Sequence, residues 1–149
     1  MLLKGGGWME EFVRYYSEMF PLFRKHGEED AGFDLPTKED FTIKPGELKV
    51  VPTGIYLDIP SGLYGQILGR SGLAAKGIVI LGGVIDPGYR GEVKVVMYNA
   101  GQEELFFEAG DRIAQIVFIK IYNAPVVLVS SKNRLSHSVR GTGGFGSTD

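Results

Sequence analysis

Five short segments hold most of the side chains that could do chemistry, and each contains glycine: residues 31–35, 70–74, 83–92, 110–115 and 140–148. A carboxylate such as Asp86 can act as a general base when it lies within hydrogen-bond reach of a water molecule. An arginine such as Arg70 donates charge-assisted hydrogen bonds to anions, and glycine lets a backbone approach a ligand closely. Because the net charge is only −2, any anionic ligand needs local donors of this kind.

Taken one at a time, the segments have ordinary structural explanations. The Arg-Ser-Gly run at 70–72 is most often a turn, and Asp-Pro-Gly at 86–88, between two apolar runs, is most often a hairpin connection. Gly-Asp-Arg at 110–112 is usually a turn with a solvated charge pair, and a glycine-rich end is usually a frayed terminus. A functional interpretation therefore depends on all five occurring together.

The composition is that of one folded domain. Of 149 residues, 44% are hydrophobic, which excludes a wholly disordered chain, and the 22 glycines show no period of three, which excludes collagen. The near-neutral charge argues against broad non-specific binding to nucleic acid. With no cysteine, the chain can form neither disulfides nor thiolate metal sites and has no cysteine nucleophile.

No part of the sequence predicts a membrane segment. No apolar run approaches the roughly 20 residues of a membrane span, and the apolar start at residues 1–3 is too short for a signal peptide. We therefore expect a soluble intracellular protein, cytoplasmic or nuclear, with no membrane partner.

Short runs rich in β-branched and aromatic residues alternate with glycine, proline and asparagine. They predict strands at residues 48–51, 55–59, 78–81, 92–98, 105–107, 113–121 and 126–129. Many short strands at this spacing favour an all-β sandwich or barrel. No helical pattern alternates with them after residue 28, which argues against a βαβ fold.

Residues 1–28 form an atypical N-terminal segment that fits two structures. Trp8, Phe12, Tyr15, Tyr16 and Met19 follow the spacing of an amphipathic helix over residues 8–20. Residues 12–16 also fit a strand. Pro21 ends the segment in either case.

The end of the chain differs from the rest. Residues 130–138 are polar, and residues 141–149 include four glycines, so this stretch cannot bury enough apolar surface to order itself. We expect a single β-barrel domain over residues 1–130 and a flexible arm over residues 131–149.

In their order along the chain, the five segments closely resemble the five motifs of the trimeric deoxyuridine triphosphatases (dUTPases), over residues 31–148. The resemblance implies a jelly-roll-like β-barrel and a homotrimer whose sites are each lined by all three subunits. It also implies hydrolysis of dUTP to dUMP and pyrophosphate, in which water attacks the α-phosphorus of a Mg²⁺-bound triphosphate. Such a reaction limits uracil incorporation into DNA and supplies dUMP for dTTP synthesis. The short loop at residues 74–78 is similar to that of some viral members.

The third segment resembles the motif that recognises uracil and carries the chemistry. The hairpin with Gly83, Val84 and Ile85 resembles one whose backbone N–H and C=O groups pair with uracil. Such pairing separates uracil from cytosine because the exocyclic group changes from acceptor to donor. Asp86 resembles the general base that orients and deprotonates the attacking water. Tyr89 resembles the tyrosine that packs under deoxyribose and leaves no room for a 2′-hydroxyl.

The second and fourth segments resemble the motifs that hold the phosphates. In this resemblance the Ser71 hydroxyl and the backbone N–H groups around Gly72 hold the α- and β-phosphates, with Arg70 in the same motif. Gln115 adds an amide donor to the same phosphates. Arg112 is expected to support the site or a subunit interface.

The first segment resembles the metal-associated motif. Its Asp34 corresponds to the aspartate that holds waters on Mg²⁺, while phosphate oxygens supply the other ligands. A cage of protein ligands is therefore not expected, and His26 and His137 are expected to be ordinary surface residues.

The last segment resembles the arm that closes over the bound nucleotide, usually in a neighbouring subunit's site. Arg140 then contacts the γ-phosphate as a charge-assisted donor. Phe145 stacks on the uracil face, while Gly146 lets the backbone wrap the phosphates and Ser147 and Thr148 offer hydroxyls. Closure of such an arm excludes bulk water from the reaction.

Two rival functions are weaker. The dCTP deaminases share the Arg-Ser motif and an Asp-Pro-Gly turn, but they need a glutamate in the strand after the fourth motif. The corresponding position here lies near Ile119, between Phe118 and Lys120, so that acid is missing. A non-catalytic nucleotide-binding or partner-binding trimer is the rival from another class, and binding alone would not need a base such as Asp86.

Overall fold

The computed structural model describes residues 12–146, and these residues form an all-β domain, as predicted. The strands are β1 (Arg14–Ser17), β2 (Phe33–Pro36), β3 (Phe41–Ile43), β4 (Leu48–Asp58), β5 (Leu63–Leu68), β6 (Ile78–Leu81), β7 (Val84–Ile85), β8 (Glu92–Asn99), β9 (Leu105–Phe107) and β10 (Arg112–Lys120). A single helical turn, α1 (Ser71–Ala74), follows β5, and a 3₁₀ turn covers Lys132–Arg134.

The strands form two four-stranded antiparallel sheets and one two-stranded ribbon. The first sheet has the order β1-β4-β8-β6, the second has the order β2-β10-β5-β7, and β3 pairs with β9. Strands β2, β10, β5 and β7 are neighbours in one sheet, so four of the five segments follow or contain strands of that sheet.

The core follows from the alternation of side chains along each strand. On β8, Val93, Val95 and Met97 are fully buried, whereas Lys94 between them is exposed. The buried apolar side chains form one cluster, which consists of Leu35, Ile43, Val51, Ile55, Leu57, Ile59, Leu63, Ile67, Ile78, Val93, Val95, Met97, Phe107, Ile113, Ala114 and Ile116. A single core of this kind is typical of one domain of this length.

The outward side of the first sheet carries a second set of apolar side chains, which we call the outer apolar face. Its members stand opposite one another in two rows across β4, β8 and β6: Leu48, Tyr98 and Val79 in one row, and Val50, Val96 and Leu81 in the next. Leu48 and Val50 are each more than half exposed. Apolar rows of this kind on a sheet mark an interaction surface more often than a solvated one.

For the N-terminal segment, the strand alternative is correct over the described residues and the helix alternative is wrong. Arg14–Ser17 pairs antiparallel with β4, with Arg14 opposite Asp58 and Ser17 opposite Ile55. Hydrogen bonds to the open edge of β4 satisfy the backbone N–H and C=O groups of these residues. The spacing of the aromatic side chains alone does not reveal that this edge is available. Trp8 lies outside the described residues.

The predicted strand at residues 126–129 is wrong for the single chain. The last strand ends at Lys120, and residues 121–130 have no regular structure. Val126 and Leu128 are 98% and 97% exposed. A run with high β-propensity forms a strand only where an open sheet edge can pair with it, and no strand among residues 12–146 does so here.

None of the helices within residues 12–146 has the length and apolar character needed to cross a membrane.

Candidate active site

A concavity of about 220 Å³ brings together residues from three of the five segments, and we call it the first concavity. Four of the predicted site residues line it: Asp34, Arg70, Ser71 and Gln115. Gly72 is exposed and follows Ser71 in α1. Three of the five predicted segments therefore meet here in the single chain, and the other two do not.

The sheet explains why these residues converge. Gln115 on β10 stands opposite Asp34 on β2 and also opposite Leu68 on β5. Arg70 and Ser71 come directly after β5, so they emerge beside Gln115. Gly32 lies against the Gln115 side chain so closely that a Cβ at position 32 would overlap the amide oxygen.

Hydrogen bonds and one ion pair hold the polar side chains of the first concavity. Arg70 Nε lies 3.4 Å from Asp34 Oδ1, and Arg70 Nη1 donates to the Arg112 carbonyl at 2.8 Å. Gln115 Nε2 donates to the Gly69 carbonyl at 2.9 Å. Within residues 12–146 the Ser71 hydroxyl has no hydrogen-bond partner, so it is available to a ligand. Arg112 contacts the site through its backbone carbonyl, and the supporting role expected for it stays a prediction.

A second concavity of about 230 Å³ lies at the β7 hairpin and is lined by Val84, Ile85, Asp86, Tyr89, Glu92 and Lys94. Strand β7 pairs with the outer edge of β5, with Ile85 opposite Gly65 and Val84 opposite Gln66. The Ile67 N–H also donates to the Gly83 carbonyl at 2.7 Å. The hairpin is therefore attached to the strand that leads to the first concavity.

Two consecutive glycines shape the entry to this hairpin. Gly82 has φ of +67° and Gly83 has φ of +110°, a backbone region that side chains with a Cβ rarely adopt. A Cβ at position 83 would lie 2.7 Å from the Ile67 carbonyl oxygen, whereas a Cβ at position 82 would meet nothing within 4 Å. Gly83 is thus required for both conformation and close packing.

Asp86 opens the tight turn of the hairpin. The Tyr89 N–H donates to the Asp86 carbonyl at 3.1 Å. The Asp86 carboxylate accepts no hydrogen bond from the chain between residues 12 and 146, so it does not cap its own turn. The carboxylate is exposed and can receive a water molecule or a ligand hydroxyl.

Tyr89 is held in one orientation next to Asp86. Its hydroxyl donates to the Glu92 carbonyl at 2.8 Å, and its ring lies across Gly91, where a Cβ would overlap the ring. The Tyr89 ring therefore forms a fixed wall of the second concavity.

An ion-pair network around Asp58 stabilises the same turn. Nothing in the sequence pattern predicts this network. Arg90 donates to the Pro87 carbonyl at 2.6 Å and to the Asp58 carboxylate at 2.9 Å. Arg14 Nε also donates to Asp58, at 3.0 Å. The hydrogen bond from Arg14 and the charges of Arg14 and Arg90 hold the pKa of Asp58 below its usual range.

A second network joins β1, β4 and the start of β8. Lys38 Nζ lies 3.2 Å from a Glu18 carboxylate oxygen and 3.0 Å from one of Glu92, while the Tyr56 hydroxyl donates to Glu18 at 2.7 Å. The hydrogen bonds from Tyr56 and Lys38 lower the pKa of Glu18. The hydrogen bonds to Glu92 and Glu18 raise the pKa of Lys38.

No residue of the described part of the arm, 131–146, lines either concavity. Arg140 Nε donates to the Gly143 carbonyl at 2.6 Å, and Phe145 is fully exposed with φ of +53°, a value that is rare for an aromatic residue. Gly146 also has positive φ, at +83°. Ser147 and Thr148 lie outside the described residues.

The first concavity offers carboxylate oxygens to a metal ion that a ligand carries. No group of three or more His, Asp or Glu side chains in the range 12–146 could hold a metal ion. The Asp34 carboxylate, a hard oxygen donor of the kind that Mg²⁺ prefers, lines the first concavity.

Sequence reasoning missed three residues of the first concavity: Lys25, His26 and Asp30. His26 is exposed, as expected, but it also lines the concavity. The signal that could have found them is the charged run at residues 24–30, which directly precedes the first motif.

Comparison with known proteins identifies the family. The dUTPase family model matches residues 18–149. The deoxyuridine 5′-triphosphate nucleotidohydrolase of Anaeromyxobacter sp. (strain Fw109-5) is 50% identical over 121 residues, which cover 79% of this chain and 80% of that protein. The Variola virus protein of the same name is 45% identical over 118 residues, with 79% and 78% covered.

Solved structures agree with the sequence comparison. A mutant dUTPase of Staphylococcus bacteriophage 80alpha, solved with dUpNHpp, has a TM-score of 0.79 at 26% identity and covers 92% of this chain and 98% of its own. EIAV dUTPase has a TM-score of 0.70 at 29% identity, with 83% and 100% covered. On its sequence, its sheet order and the residues that converge at its two concavities, this chain belongs to the dUTPase family.

Proposed function

We propose that this chain is a dUTP diphosphatase, which hydrolyses dUTP to dUMP and pyrophosphate as a homotrimer. The observation that carries the proposal is the Asp86 carboxylate, which is exposed beside a hairpin and makes no hydrogen bond within residues 12–146. Donors suited to phosphates lie on the same sheet. Membership of the dUTPase family supports this substrate.

The first concavity binds the triphosphate in this proposal. Arg70, the Ser71 hydroxyl, the backbone at Gly72 and the Gln115 amide donate to phosphate oxygens, which accept charge-assisted hydrogen bonds well. Asp34 would hold waters of a Mg²⁺ ion carried by the triphosphate, and that ion would supply neutralisation of the phosphate charge. Its preference for oxygen ligands and retained waters fits this arrangement.

The hairpin recognises the nucleoside. Backbone groups around Val84 and Ile85 pair with the uracil edge, and Gly83 lets them approach the base. Tyr89 packs under the deoxyribose. Because Glu92 and Gly91 already fix the Tyr89 hydroxyl and ring, the ring cannot move aside, and a ribose 2′-hydroxyl clashes with it.

Asp86 carries out the chemical step. Its carboxylate holds a water molecule in line with the α-phosphorus and accepts one of the water protons as the oxygen attacks. The new bond joins that oxygen to the α-phosphorus. The bond that breaks links the α-phosphorus to the oxygen that bridges the α- and β-phosphates. Pyrophosphate leaves with that bridging oxygen, and dUMP retains the oxygen that came from water.

A homotrimer explains three features of the single chain. The outer apolar face needs a partner surface, and the exposed apolar residues 126–129 need a sheet edge. The two concavities each hold only part of the proposed site, so adjacent subunits combine them. In this assembly residues 1–130 form the barrel and residues 131–149 the arm of a jelly-roll-like subunit.

The arm closes over the nucleotide in this proposal. Arg140 donates to the γ-phosphate, Phe145 stacks on uracil, and the backbone at Gly146 with the hydroxyls of Ser147 and Thr148 surrounds the phosphates. The full exposure of Phe145 is consistent with a side chain that finds its partner only in the complex. Acting on intracellular dUTP, the enzyme limits uracil incorporation into DNA and supplies dUMP for dTTP synthesis.

The experiment that tests the function is a substrate panel of dUTP, dCTP, UTP and dTTP with Mg²⁺, in which all products are identified. We expect pyrophosphate and dUMP from dUTP alone. Asp86→Asn should bind dUTP nearly as well as wild type and lose turnover by about 10²- to 10⁴-fold, the usual contribution of a general base. Glu104→Gln, at an exposed carboxylate outside the site, is the matched control.

Three results would contradict the proposal. Deamination of dCTP would assign the chain to the rival reaction. Binding of dUTP without release of pyrophosphate would indicate a binding protein. Near-normal turnover by Asp86→Asn would remove Asp86 from the chemical step.

A further inference from the structure

The loop between β1 and β2 is fixed by two contacts between a guanidinium and an aromatic ring. The Arg112 guanidinium lies 3.5 Å from the centre of the Phe23 ring, and that of Arg24 lies 4.0 Å from the centre of the Phe33 ring. The Asp34 N–H also donates to the Phe23 carbonyl at 2.7 Å. Residues 23 and 24 are therefore attached to the strands that carry the first concavity.

Asp30 fixes the other end of the same loop. Its carboxylate accepts the His26 backbone N–H at 2.8 Å and lies 3.3 Å from His26 Nδ1. The Asp30 N–H donates to the Gly27 carbonyl at 3.1 Å, and Gly27 makes the turn with φ of +94°. With both ends fixed, Lys25 and His26 are presented on the wall of the first concavity.

One cation on that wall has no ion pair among the described residues. Asp34 lies next to Arg70, and Asp30 lies next to His26. Lys25 forms no ion pair within 4.0 Å with any residue of the described range 12–146. A triphosphate brings several negative charges to this concavity, and Arg70 is already shared with Asp34. An additional cation on the wall would therefore favour binding of such a ligand.

We propose that Lys25 and His26 form an additional phosphate-binding edge of the first concavity, which selects for the triphosphate form of the nucleotide. This inference rests on the proposed function. The Lys25 ammonium serves as a mobile point charge for phosphate oxygens. Because His26 Nδ1 lies 3.3 Å from the Asp30 carboxylate, Nε2 is the ring nitrogen that remains for contact with phosphate.

The test compares the affinities of wild type, Lys25→Gln, His26→Gln and the double variant for a non-hydrolysable imido analogue of dUTP and for dUMP. We expect each single variant to bind the triphosphate analogue about fivefold more weakly than wild type. The double variant should bind it about tenfold more weakly, or weaker still. These losses are in the range for partly solvated charge-assisted hydrogen bonds. The affinity for dUMP should change by less than about twofold, because dUMP lacks the β- and γ-phosphates.

Two controls separate binding from folding and from general charge effects. Lys44→Gln removes a positive charge from the turn before β4 and should leave both affinities unchanged. Lys25→Gln breaks no ion pair of the fold within residues 12–146, so its thermal midpoint should match wild type even if His26→Gln loosens the loop. Binding of the triphosphate analogue by the double variant at wild-type affinity would overturn the proposal. So would equal losses for dUMP and the triphosphate analogue.

Inorganic triphosphate distinguishes failure of this inference from failure of the proposed function. If wild type neither binds nor hydrolyses dUTP, the proposed function is wrong. Tighter binding of inorganic triphosphate by wild type than by the double variant would still support the anion-binding edge. Equal binding by the two proteins would reject it.

Discussion

Replacing Gly83 by alanine should destabilise the protein and damage the nucleoside site at the same time. The change forces a residue with a Cβ to adopt φ of +110° and puts that Cβ 2.7 Å from the Ile67 carbonyl oxygen. Left-handed backbone costs a residue with a Cβ about 1–2 kcal/mol. Loss of the hydrogen bond from the Ile67 N–H to the Gly83 carbonyl adds about 0.5–1.5 kcal/mol. We therefore expect Gly83→Ala to lower the free energy of unfolding by about 3 kcal/mol.

Two neighbouring glycines provide matched controls. Gly82→Ala meets the same kind of backbone strain at φ of +67°, but its Cβ touches nothing within 4 Å, so we expect a loss of about 1 kcal/mol. Gly88 is not in the left-handed region and also has open space, so Gly88→Ala should stay within about 0.5 kcal/mol of wild type.

The assay is urea unfolding of the four proteins at one subunit concentration, because an oligomer's stability depends on concentration. Steady-state hydrolysis of dUTP is measured in parallel. A shift of the hairpin by about 1 Å can cost up to about a hundredfold in rate, so kcat/KM for Gly83→Ala should fall by at least about tenfold. If Gly83→Ala and Gly82→Ala unfold with the same free energy, the close approach to Ile67 does not contribute and the reasoning is wrong.

Two further predictions concern acid stability and assembly. Because Tyr56 and Lys38 lower the pKa of Glu18 in the folded state, this carboxylate stabilises the protein above the ordinary glutamate pKa of about 4.3, and the stabilisation disappears as the pH falls through the lowered value. The free energy of unfolding should therefore fall less between neutral and acidic pH in Glu18→Gln than in wild type. The control Glu104→Gln should behave like wild type. Equal acid sensitivity of wild type and Glu18→Gln would refute the role of this network. Native mass measurement should find three copies for wild type and fewer for Val96→Lys, which puts a charge in the middle of the outer apolar face; a single copy for wild type would contradict the assembly.

The sequence was sufficient for features that depend on local pattern. β-branched runs between glycine and proline predicted β4, β6, β8, β9 and β10, because pairing partners for them exist within the same sheets, whereas β2, β3, β5 and β7 were not predicted as strands. Motif order predicted that Asp34, Arg70 and Gln115 would share a site. The same local reasoning failed at residues 126–129, where high β-propensity meets no sheet edge within the described chain.

Features that depend on distant residues were not predictable. Aromatic spacing at residues 12–16 fits a helix and a strand equally, and only the open edge of β4 decides between them. Asp58 pairs with Arg90, which is 32 positions away in sequence, and with Arg14, which is 44 positions away. The order of strands in the sheet brings these residues together. Lys25 and His26 reach the first concavity because Asp30 and two ring contacts fold the loop back.

The packing of Tyr89 across Gly91 has a consequence for the energetics of discrimination. A tyrosine side chain that was mobile in the unliganded protein would lose rotamer entropy each time a ligand bound. This loss lowers the affinity for correct and incorrect ligands alike. Here the folding of the hairpin has already immobilised the ring. In the proposed function, selection against ribose by this ring would therefore be a property of the empty protein, and it should operate at the first encounter with a nucleotide.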